Sequence, residues 1–149
     1  MPYLRLTCPV LSCERRAKIV AALTDAVNDL FFDPRARVTR EELRERTTIH
    51  FVAYGEDELF IGGRTPAQRG VVDITCELSD WSMPVRMQRR IARELTPILA
   101  RLFNVPPSQI DNVNLRFYSY RPRDFAVGGR LLSDMIPRFA QILKRTLSA

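Results

Sequence analysis

Thr48-Ile49-His50-Phe51-Val52-Ala53-Tyr54, followed by Gly62-Gly63-Arg64, lines up without a gap on Asn114-Leu115-Arg116-Phe117-Tyr118-Ser119-Tyr120 and Gly128-Gly129-Arg130. The shift is 66 residues throughout. Phe51 meets Phe117, Tyr54 meets Tyr120, and both segments end Gly-Gly-Arg. Self-similarity at a fixed shift decides how the chain is read. Working outward, Leu23-Thr24 falls on Leu95-Thr96 and Leu30-Phe31 on Leu102-Phe103, at a shift of 72. Leu6-Thr7-Cys8 falls on Ile74-Thr75-Cys76, at a shift of 68. Each copy therefore reads strand, helix, strand, glycine turn. That is a βαβ unit, which predicts parallel strands and a right-handed crossover.

The fold expected is α/β (α+β): two fused β-α-β units, about 2–64 and 70–130, forming a four-stranded sheet. The two long helices lie on one face, and a C-terminal helix at about 132–147 is added, all in a single domain over 1–149. The apolar stripe Ile19, Leu23, Ala26, Val27 and Leu30 marks the first helix, capped by Ser12. Met87, Ile91, Leu95, Ile98 and Leu102 mark the second, with Asp80 or Ser82 as cap and Pro84 in its first turn. Thr39 and Glu42 have capping-box spacing and predict a short helix near 40–45. Strands are expected over 3–8, 47–54, 71–76 and 113–120, a linker over 64–70, and a last helix over 133–147 capped by Ser133. The strands 47–54 and 113–120 carry apolar residues on both faces, so the sheet needs a second cover, which self-association supplies.

Composition narrows the function. The chain has 149 residues, 46% apolar and 27% charged, as ordinary globular proteins do. No apolar run is long enough to span a membrane and no signal peptide is evident, so a cytoplasmic protein is expected. Cys8, Cys13 and Cys76 make no C-x-x-C pair, and His50 is the lone histidine. Neither a disulfide framework nor a metal site is expected. The net charge of +6 is carried mostly by arginine, whose planar fork suits carboxylates. With no basic run and no recognition helix, a small acidic molecule is the expected partner rather than nucleic acid.

Met1-Pro2 opens the first strand. Removal of Met1 would leave Pro2 with a free secondary amine, which no other residue can offer. At the shift of 68, Pro2 falls on Gly70, so one such site per chain is expected.

These features resemble the tautomerase superfamily: Pro2 opening a strand, a βαβ unit of this size, an x-x-Gly-Gly hairpin closing each unit, and the duplication. The hairpins Phe60-Ile61-Gly62-Gly63 and Ala126-Val127-Gly128-Gly129 look like that of 4-oxalocrotonate tautomerase. The length is similar to fused members and to the cis-3-chloroacrylic acid dehalogenase branch. The resemblance implies a homotrimer and a cofactor-free tautomerase or isomerase. In it Pro2 acts as general base or acid on a 2-oxo or 2-hydroxy-dienoate-type acid. It implies a carboxylate-holding arginine on the second strand of a unit. Thr48 or His50 matches in the first copy and Asn114 or Arg116 in the second, with Arg116 the preferred residue. It implies a pocket aromatic on the hairpin, where Leu59 and Phe125 match and Phe125 is preferred. The family's arginines in the turn after a first strand are missing. Their place in the second copy holds Leu78-Ser79-Asp80-Trp81, where Trp81 would shape a more apolar pocket. Two other readings are a hydratase, dehalogenase or decarboxylase of a small unsaturated or oxo acid, and a non-catalytic trimeric binding protein that retains Met1.

Overall fold

A computed structural model describes residues 1–36 and 38–136. The strands are β1 (Tyr3–Pro9), β2 (Thr48–Tyr54), β3 (Ile74–Trp81) and β4 (Val113–Tyr120), ordered β2-β1-β3-β4 in one sheet. β1 pairs parallel with β2, β3 pairs parallel with β4, and β1 meets β3 antiparallel in the middle. Helix α1 (Cys13–Phe31) crosses from β1 toward β2, followed by the short α2 (Arg40–Arg46). After β2 comes the single-turn α3 (Pro66–Arg69), and α4 (Val85–Leu102) crosses from β3 to β4. Beyond β4 lie a 3-10 turn at Pro122–Asp124, the two-stranded hairpin β5 (Ala126–Val127) and β6 (Arg130–Leu131), and α5 (Leu132–Met135). Most of the predicted C-terminal helix falls outside the described residues.

Alternation builds the core. Leu4, Leu6 and Cys8 of β1 and Ile74, Cys76 and Leu78 of β3 are buried on one face. Against them lie Ile19, Leu23 and Val27 of α1 and Ile91, Leu95 and Leu99 of α4, in one cluster. The outer strands meet the expectation of apolar residues on both faces in part, since Val52, Tyr54, Tyr118 and Tyr120 share the face turned from the core with polar residues. Ile49, Phe51, Leu115 and Phe117 pack against the core. The other face, open in the single chain, carries Thr48, His50, Asn114, Arg116 and Tyr118, all exposed.

Strand register corrects the repeat. Tyr3 pairs with Thr48, and Thr75 pairs with Asn114, which is Thr48 shifted by 66. Tyr3 is therefore the counterpart of Thr75, and the opening strands share the helices' shift of 72 rather than 68. Pro2 corresponds to Ile74, not Gly70. The local match of Leu6-Thr7-Cys8 to Ile74-Thr75-Cys76 was coincidental, since one β-prone triplet is much like another. The first unit is six residues longer between helix and second strand (72 against 66), and α2 occupies the extra length.

Two further boundaries move. β3 begins at Ile74 and runs to Trp81 because its pairing with β1 and β4 extends there; Val71 and Val72 lie outside it. Asp80 and Ser82 thus do not cap α4, whose N-cap is Pro84 without a side-chain bond. The expected linker holds α3, with a capping box between Thr65 and Gln68. Ser133 lies inside α5, whose N-cap is Leu131. Each Gly-Gly pair has φ near +56 to +78°, as a two-residue hairpin turn requires.

Candidate functional site

Pro2 stands at the mouth of β1, where its carbonyl accepts from the Thr48 amide at 3.0 Å as the parallel pairing begins. It is fully buried. Beside it is a cavity of about 270 Å³ lined by Met1, Pro2, Tyr3, Arg46, Thr48, Ser79, Tyr120, Asp124 and Phe125. The antiparallel pairing of β1 with β3 brings the end of β3 to this point, so Asp80 faces the chain terminus. Its Oδ1 lies 2.6 Å from the Met1 ammonium, and the residue is 4% exposed.

The second unit supplies the opposite wall. Tyr120 ends β4, and its ring lies against that of Phe125 with centroids 5.2 Å apart. Burial, and then the Asp80 charge, push the Tyr120 phenol up to about 12, so it stays protonated. Phe125 is fixed from both sides: its carbonyl accepts from the Leu132 amide at 2.8 Å, and the turn before it is closed by Arg121 on Asp124. Those bonds from Arg121 hold the Asp124 carboxyl below the usual range. Arg46, the last residue of α2, is the one basic side chain of the lining.

Of the residues singled out from sequence, Pro2, Thr48 and Phe125 line the cavity, whereas Arg116, His50, Asn114 and Trp81 do not. Thr48, Tyr3, Ser79 and Tyr118 form one cross-strand row on the open face; His50, Arg5, Glu77 and Arg116 form the next. Arg116 and His50 are thus two residues along, roughly 7 Å from the row that meets the cavity. His50 Nδ1 shares a 2.9 Å hydrogen bond with the Tyr3 hydroxyl. Asn114 lies at the far end of the sheet, 3.5 Å from Asp73. Trp81 pairs with Tyr120 in register but does not line the cavity. Asp80 and Arg46 were missed, because only tertiary placement reveals them: the register of β3 against β1 for Asp80, and the end of α2 for Arg46.

The corrected repeat shows what the second copy has lost. Pro2 corresponds to Ile74, Asp80 to Cys8, Arg46 to Asn112, Thr48 to Asn114, Tyr120 to Tyr54 and Phe125 to Leu59. Burial pushes the Cys8 thiol up to about 11, so a neutral group sits where Asp80 carries charge. The mirrored position has no chain terminus; Asp73 stands there in place of Met1, and Cys8 in place of Asp80.

No protein-family model matches the sequence, and no curated protein matches it. Solved structures do. The structure of Pt0534 inactivated by 2-oxo-3-pentynoate is similar at a TM-score of 0.70 and 14% identity, covering 91% of this chain and 99% of that one. The F6 fused 4-OT wild type asymmetric trimer gives 0.70 and 17%, with coverage of 91% and 99%. N1, a member of the cis-3-chloroacrylic acid dehalogenase family, gives 0.65 and 16%, with coverage of 97% and 99%. Likeness over nearly the full length of both chains fixes the architecture: this chain has the tautomerase-superfamily fold in its fused, double-length form.

Proposed function

We propose that the chain is a cofactor-independent isomerase of small 2-oxo or 2-hydroxy-dienoate-type acids, with the Pro2 amine as proton carrier once Met1 is removed. The observation that carries this is the Asp80 carboxylate, buried beside the cavity and 2.6 Å from the chain's terminal amine. With Met1 gone, the amine is that of Pro2, one residue along and next to the same carboxylate. The neutral amine takes the hydroxyl proton of the enol. The ammonium so formed, favoured by the neighbouring anion, delivers it to carbon. Arg46 takes the place first expected of Arg116, holding the substrate carboxylate from the cavity wall. Phe125 supplies an apolar wall. Three copies associate, as the fused 4-OT trimer does, and the open sheet face is the surface left for them to bury.

A second reading has its own support. The Met1 ammonium is already paired with Asp80. If Met1 stays, the Pro2 nitrogen is an amide without a basic lone pair, and the chain is a binding protein.

Intact-mass measurement separates the two: a mass short by one methionine is expected. The processed chain should ketonise enol-phenylpyruvate, and Pro2→Ala should lose ~10²- to 10⁴-fold of that rate. The processed native chain should also gain the mass of one 2-oxo-3-pentynoate, on Pro2. Equal turnover in Pro2→Ala rules the mechanism out.

A further inference from the structure

The internal two-fold relates Tyr120 to Tyr54 and, through the shift of 72, Met1 to Asp73. In the mirrored position the Tyr54 hydroxyl donates to the carbonyl of Asp73 at 2.8 Å. By that symmetry the acceptor for Tyr120 would be the carbonyl of Met1, the residue whose loss frees the amine, but that bond is not formed. Tyr120 and Met1 line the same cavity. Among the described residues the Tyr120 hydroxyl has no hydrogen-bond partner, whereas Tyr54 is committed to the backbone.

We infer that Met1 occupies the substrate's seat, and that its departure leaves the Tyr120 hydroxyl as the donor to the oxygen on which charge develops. This deepens the proton-transfer reading, on which it rests. Three features suit Tyr120 to that role. Its phenol is held protonated, so its O–H is available to donate. Its ring is fixed on Phe125 at 5.2 Å, so the donor is already oriented. Its strand is anchored at this end, where the Ser82 amide donates to the Tyr120 carbonyl at 3.1 Å and the Met83 amide to Ser119 Oγ at 2.9 Å. A donor fixed in advance at the place of developing charge does most for the transition state.

The internal symmetry provides a matched control. Tyr120→Phe keeps the ring and its stacking and removes only the hydroxyl; Tyr54→Phe makes the same change where the hydroxyl holds backbone. In the processed chain, Tyr120→Phe should lower kcat on enol-phenylpyruvate ~10²-fold and raise KM about tenfold. Its Kd for phenylpyruvate, measured by calorimetry without turnover, should rise about tenfold. Tyr54→Phe should keep these values and lose thermal stability instead. Tyr120→Phe with unchanged kcat and Kd, or a Tyr54→Phe protein with the same loss, overturns the assignment. Phenylpyruvate binding that Tyr120→Phe weakens, in a chain that never turns over, keeps this donor while proton transfer by Pro2 falls. No binding at all overturns it.

Discussion

Asp80 closes a strand whose other inward residues, Ile74, Cys76 and Leu78, are apolar. A carboxylate buried there is costly unless paired. Its partner is the chain's own terminus, which makes the pair depend on whether Met1 or Pro2 carries the amine. In the processed chain, Asp80→Asn removes the anion that favours the ammonium. The amine then stays neutral to lower pH, so the acid limb of the kcat/KM profile should move down by about one pH unit. A pH–rate profile under saturating and limiting substrate checks this; an unmoved limb separates Asp80 from Pro2. Pro2 could be singled out in the sequence because only a proline at the second position offers a secondary amine on processing. Phe125 was legible because it sits at a fixed offset before a Gly-Gly turn. Asp80 was not, because an acidic residue shortly before a proline-opened helix reads equally well as a cap. Arg116 lies one cross-strand row from the row that meets the cavity, and no local pattern encodes that register.

Helix α2 is held to α1 by named contacts rather than by a core, since none of its own residues is buried. Asn28, itself buried, donates through Nδ2 to the Arg40 carbonyl at 2.7 Å. Arg40 pairs with Asp29 at 2.6 Å and lies over the Phe32 ring at 4.4 Å, and Arg44 pairs with Asp25. These ties set where the helix ends, and it ends at Arg46. Exposed ion pairs contribute little each, so the buried amide is the principal hold. Asn28→Ala should therefore raise KM for a carboxylate substrate about tenfold at nearly constant kcat, with a stability loss of about 1–2 kcal/mol. In an Arg46→Ala background the same change should leave KM where it was. Steady-state kinetics of the two single variants and the double variant decide it; additive effects on KM would make Asn28 a purely structural residue. The start of α2 was readable because the capping box of Thr39 and Glu42 is spelled within four residues. The identical device at Thr65 and Gln68 went unread, because a one-turn helix leaves no periodicity to notice. The limits of β3 were misplaced for the opposite reason: they are set by partners far away in the chain.

At the scale of the whole molecule, duplication explains both the sheet and its asymmetry. Two βαβ units joined by an antiparallel β1–β3 pairing give one core, visible in the sequence as paired helix stripes at a constant shift. The open face was harder to read, because its residues are neither apolar enough to announce an interface nor charged enough to announce solvent. Tyr3 and Tyr118 are 38% and 51% exposed there, beside Arg5 and Glu77 in ion-pair contact at 3.5 Å. Exposed aromatics are enriched at interfaces relative to solvated surfaces. If three copies close over this face, Tyr118 is buried in the assembly with its hydroxyl donating to Glu77, from which it lies 3.2 Å in the single chain. Tyr118→Glu then sets two carboxylates against each other where water has been excluded, at a cost of several kcal/mol per interface. Light scattering on the native chain should give about three times 17.2 kDa, and on Tyr118→Glu about one. Tyr118→Phe should remain assembled, since it keeps the ring and loses only a hydroxyl. A native chain that runs as a monomer, or a Tyr118→Glu protein that stays assembled, would place the interface elsewhere.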